Sequence, residues 1–76
     1  MGKFEIALKP DQEFITLQSV LQVGDVISTG GMAKAFLEQE KVLVNGEEEN
    51  RRGRKLRDGD LVEIKSLKKS FLIVKS

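Results

Sequence analysis

The chain has 76 residues, with thirteen Lys and Arg against twelve Asp and Glu, and it contains no Cys, His, Trp or Tyr. Without cysteine there is no disulfide framework and no thiolate nucleophile, and without histidine the commonest metal ligand and the commonest general base are both missing. A chain this short buries only about 60% of the surface its unfolded form exposes, so its length permits one domain over residues 1–76, with a thin core and no large enclosed active site. A composition of 39% hydrophobic and 33% charged residues is that of a folded soluble protein, and the lack of cysteine fits a reducing, cytoplasmic setting. No apolar run approaches the roughly 20 residues of a membrane span, and the segment Met1-Gly2-Lys3-Phe4-Glu5 lacks the apolar centre of a signal peptide, so no membrane partner is expected.

Phe4, Ile6 and Leu8 alternate with Lys3, Glu5 and Ala7, the period of a half-buried strand, and Pro10-Asp11 ends it. Thr16 is placed to cap a helix in which Leu17, Val20 and Leu21 fall at i, i+3 and i+4, with Gly24 just past its end. After Asp25-Val26-Ile27, Ser28 or Thr29 can cap a second helix that opens at Gly30-Gly31 and buries Ala33, Phe36 and Leu37 while exposing Lys34 and Glu38. Val42-Leu43-Val44-Asn45-Gly46 specifies a type I′ hairpin, because Asn and Gly both tolerate positive φ. The returning Glu47-Glu48-Glu49-Asn50 is polar and predicts a short exposed strand, followed by the basic run as an extended arm. Asp58-Gly59-Asp60 turns into the strand Leu61-Val62-Glu63-Ile64, and Phe71-Leu72-Ile73-Val74 is a second apolar strand that can pair with the first one. The order predicts an α+β domain with two short helices packed on a small antiparallel sheet.

The balanced net charge conceals a steep local asymmetry. Glu38 to Glu49 holds five acids against one base, whereas Arg51-Arg52-Gly53-Arg54-Lys55-Leu56-Arg57 holds five bases and no acid. Two readings stand side by side. The cations can pair with the neighbouring glutamates at about 0–1 kcal/mol each, or they can meet a polyanion. Arginine favours the second, since its fork donates two parallel hydrogen bonds to a phosphate. All four aromatics are Phe, and Phe4, Phe36 and Phe71 lie on apolar faces, which leaves Phe14 as the one candidate for base stacking.

Catalysis lacks parts. No histidine is present to activate Ser or Thr, the carboxylates sit in turns, and three consecutive glutamates on a strand cannot converge on one ion. No enzyme activity, metal, cofactor or small-molecule substrate is expected. Gly24 to Gly31 lacks the Walker spacing; the amides around Gly30 and Gly31 offer an anion-facing helix start, against the plainer reading of a tight turn.

The stretch from Ile15 to Ile64 resembles the S4-type RNA-binding domain, or alpha-L motif. The likeness rests on Leu17-Gln18-Ser19-Val20-Leu21, Ala33-Lys34-Ala35-Phe36-Leu37, Val42-Leu43-Val44-Asn45-Gly46 and Leu56-Arg57-Asp58-Gly59-Asp60-Leu61-Val62-Glu63-Ile64. Ser28-Thr29-Gly30-Gly31 and Arg51-Arg52-Gly53-Arg54-Lys55-Leu56 are similar to a subgroup of small free-standing bacterial members. The resemblance implies binding to structured ribosomal or transfer RNA, with the ribosome a candidate partner, through the two helices and the adjoining loop. Carried onto matching positions, it implies that Thr29, Gly30, Lys34 and Lys41 face RNA; most members have Ser-Arg where this chain has Thr29-Gly30, so one phosphate-binding arginine is absent. Arg51, Arg52, Arg54, Lys55 and Arg57 would then hold phosphates, with Lys34 and the amides near Gly30 and Gly31 setting orientation. A protein-interaction or ribosome-assembly factor using its charged patches, and a DNA-binding accessory protein, are the alternatives. Neither Arg51 nor Arg52 is expected to carry structural weight.

Overall fold

The computed structural model describes residues 2–75. Strand β1 spans Gly2–Leu8 and buries Ile6 and Leu8; β2 is the pair Ile15–Thr16. Helix α1, Leu17–Val23, buries Leu17, Val20 and Leu21, and the Thr16 side chain caps it by accepting a hydrogen bond from the Ser19 amide. A 3₁₀ turn over Gly30–Met32 leads into α2, Ala33–Gln39. There follow β3 (Leu43–Val44), β4 (Glu47–Glu48), β5 (Lys55–Leu56), β6 (Leu61–Ile64), a 3₁₀ turn over Lys65–Leu67 and β7 (Lys69–Lys75). The main sheet has the order β1-β7-β6-β3-β4, while β2 and β5 form a separate antiparallel pair. No helix among the described residues is long and apolar enough to cross a membrane.

The α+β class stands, but the main sheet is mixed: β1 and β7 run parallel, from Gly2 opposite Lys69 to Leu8 opposite Lys75, and the remaining neighbours are antiparallel. The chain between β1 and β7 contains both helices, and a crossover of that kind is what parallel neighbours require. Side chains alternate accordingly. Val62 and Ile64 of β6 and Phe71 and Ile73 of β7 point into one core with Leu17, Leu21, Leu37 and Leu56. Burying each such side chain contributes about 1.5–3 kcal/mol.

Two turns lock the sheet's end. Asn45 and Gly46 have φ of 52° and 85°, the positive pair the hairpin requires. The Asn45 side chain then reaches the second turn, donating to Asp60 Oδ1 at 2.9 Å and accepting from the Leu61 amide at 2.9 Å.

Two local expectations are corrected, and a third, the stop at Gly24, holds for a different physical reason. Phe4 is 49% exposed and stacks flat against Phe71, with ring centroids 5.6 Å apart, because it sits near the start of an edge strand and not over the core. The α-helix proper begins at Ala33, since two successive glycines favour helix poorly and tighten into 3₁₀ geometry; Thr29 is extended and its side chain makes no cap bond. Gly24 does end α1, yet its φ is −77° and the left-handed residue is Asp25, at 60°. Gly24 is needed for space: a Cβ there would lie 2.4 Å from the Phe71 ring. Gly24→Ala therefore destabilises the fold by about 1–3 kcal/mol through overpacking, read as a lower urea midpoint with an unchanged slope.

Candidate nucleic-acid interface

The hairpin register decides the site. Val44 faces Glu47 and Leu43 faces Glu48, and one step on the Glu49 amide donates to the Val42 carbonyl at 2.9 Å. Val42 points into the core, so Glu49 opposite it turns inward as well, and it is the one buried charged or polar residue among those described. An unpaired carboxylate there would be costly. The basic run supplies its partners: Oε2 accepts from the Arg51 amide at 3.1 Å and from Arg51 Nε at 3.0 Å, while Oε1 accepts from Arg51 Nη2 at 3.0 Å and Arg54 Nη1 at 2.8 Å. Hydrogen bonding from the Arg51 guanidinium, opposed by burial and reinforced by Arg54, lowers the Glu49 carboxyl from the ordinary 4.5 to about 2.

The basic run is consequently no extended arm. Arg54 turns back onto the Arg51 carbonyl at 3.2 Å, and β5 pairs with β2. Its carbonyls also fill the exposed amino end of α1, with Leu17 N donating to Arg54 O and Gln18 N to Arg52 O, both at 2.9 Å. The first turn of a helix has no partners of its own for these amides. Thus the first helix and the basic segment hold each other in place.

Arg51 keeps 71% of its side chain exposed while its inner edge grips Glu49, and Arg54 keeps 35%. Arg52, Lys55 and Arg57 are exposed, as is Lys34 on α2. Lys34 joins Arg51, Arg52 and Gly53 along one shallow groove, which Glu38 and Glu48 also border. Arg51 and Gly53 continue into a second, lined by Arg54, Lys55 and Arg57. Six of the residues singled out from sequence therefore share one surface. Lys41 does not join them; its ammonium lies 3.9 Å from Glu48, and it lines a separate depression with Leu43, Lys65 and Ser66. Thr29 and Gly31 are exposed at the start of the second helical segment, and Gly30 is packed so closely that an added Cβ would meet Gln18 Nε2 at 2.5 Å. Neither groove is lined by these three.

Two residues of this surface escape a reading of the sequence. Glu49 belongs to an acidic triplet expected to be exposed, and only the two-residue hairpin loop, which sets Glu49 across from Val42, signals its burial. Arg51, expected to be free of structural duty, is its main partner.

The family model for the S4 domain matches residues 8–74. Among curated proteins, the chain is 56% identical over 64 residues to the probable ribosome maturation protein RlbA of Bacillus subtilis (strain 168), covering 84% of this chain and 89% of that protein. No solved structure matches.

Because the folded pKa of Glu49 lies below its unfolded value, the stability it confers is complete above about pH 4.5 and is lost as the pH falls towards about 2. Glu49→Gln should lower stability at neutral pH by about 1–3 kcal/mol and flatten the acid limb of a stability-against-pH curve. An unchanged acid limb would remove Glu49 from its structural role.

Proposed function

Because the chain belongs to the S4 domain family, we propose that it is a non-catalytic RNA-binding protein that docks on structured ribosomal RNA during ribosome maturation. The observation that carries this reading is the clustering of Lys34, Arg51, Arg52, Arg54, Lys55 and Arg57 on two adjoining grooves. Residues 1–76 act as one unit with the motif core at about 15–64, working in the cytoplasm where ribosomes are built. The relative's name supports ribosomal RNA ahead of transfer RNA.

Phosphate contacts position such a complex. Arginine forks hold backbone oxygens bidentately, and the deep major groove of A-form RNA directs recognition to shape and backbone. Fixing the cations before binding lowers the ordering cost that a loose arm would incur on association. Duplex DNA is a poorer fit, since α2 is seven residues long and exposes Lys34, Ala35, Glu38 and Gln39, too short a reading head for a major groove. The charged-patch protein partner loses ground because Glu49 is consumed inside the fold and Glu48 lies against Lys41.

With about four phosphates neutralised, log affinity for a ribosomal RNA fragment should fall against log salt with a slope of roughly 3 to 4; a slope near zero removes the electrostatic mechanism. Arg52→Ala should reduce that slope by about 1 and leave the melting temperature unchanged. Arg51→Ala should reduce both affinity and stability, the latter by about 1–3 kcal/mol, because it leaves buried Glu49 short of donors.

A further inference from the structure

Phe14 is exposed, at 36%, although a phenylalanine gains most from burial. Register explains its position. In the β2–β5 pair Ile15 faces Leu56, and both are buried; Thr16 faces Lys55. Side chains alternate across a pair, so Phe14, Lys55 and Arg57 all project on the outer face. There the Lys55 ammonium stands 5.0 Å and the Arg57 guanidinium 6.0 Å from the centre of the Phe14 ring. Lys55 and Arg57 also line the second basic groove. An aromatic ring, about a third exposed, is thus held beside a cationic surface with two groups suited to phosphate next to it.

We propose that Phe14 is the stacking platform for an unpaired nucleotide of the bound RNA, a bulged or loop base, with Lys55 and Arg57 taking its phosphates. This inference rests on the RNA-binding reading and adds to it a preference for RNA that carries a base outside the helix. Every base offers a π-face, so the platform tolerates sequence, and the flanking cations make it salt-linked. A paired base lies inside its stack and cannot reach the ring. Phosphate contacts alone would not distinguish the two RNAs.

The test compares two short RNA hairpins that differ by one unpaired adenosine, titrated at fixed salt with the wild-type chain, Phe14→Leu and Phe14→Tyr. Wild type should favour the bulged hairpin by roughly tenfold. Phe14→Leu, which keeps an apolar side chain without a π-face, should erase that preference while leaving affinity for the fully paired hairpin and the melting temperature in place. Phe14→Tyr should restore it. A 2-aminopurine at the bulge should be quenched by wild type and by the Phe14→Tyr variant but not by Phe14→Leu. Salt-dependent binding of both hairpins by wild type without preference overturns the platform and leaves the RNA reading standing, whereas salt-insensitive or absent binding of both overturns that reading and the platform with it. Equal weakening of both hairpins by Phe14→Leu assigns the ring to holding Lys55 and Arg57 only and also overturns the proposal.

Discussion

A single buried carboxylate organises the charged surface of this protein. Glu49 lies under the hairpin with 8% exposure and needs partners that the core cannot supply. Arg51 and Arg54 meet that need, and in doing so they bend a run of five repelling cations back against the body of the fold. The desolvation of one acid is thereby converted into the placement of a basic segment. The backbone completes the arrangement, because the carbonyls of Arg52 and Arg54 serve the open amino end of α1.

Pre-organisation follows. A flexible arm with five long side chains would lose rotamer freedom on every phosphate it met, whereas here Arg51 and Arg54 are already ordered by Glu49. Arg52 and Lys34, by contrast, extend from fixed backbone into one groove and form no ion pair among the described residues. The domain therefore separates its cations into some that brace the surface and some that remain wholly available to a polyanion. Arg51 does both, offering its outer edge while its inner edge is engaged.

Most of the fold is legible in the residues because it rests on short-range chemistry. Thr16 as a cap, Asn45-Gly46 as a hairpin turn and the apolar runs Leu61-Val62-Glu63-Ile64 and Phe71-Leu72-Ile73-Val74 as strands each carry their structural reason within a few positions. What is not legible comes from long-range pairing. Nothing near Phe4 shows that its strand will lie at a sheet edge, and nothing near Arg51 shows that its segment will close on α1. At the interface, composition points to the basic cluster, but the division of labour within it depends on which glutamate faces inward. Lys41 enters through family resemblance, and the fold sets it outside the two grooves, next to Glu48.

The proposed face for ribosomal RNA is this cationic surface, braced from within by Glu49. Cross-linking in cells, with both the captured RNA and the cross-linked peptide identified, tests it most directly. Ribosomal RNA attached at Lys34 and within residues 51–57 is the expected result. Enrichment of no ribosomal RNA, or attachment confined to the separate face of the sheet around Lys3, Lys65 and Lys69, would contradict it.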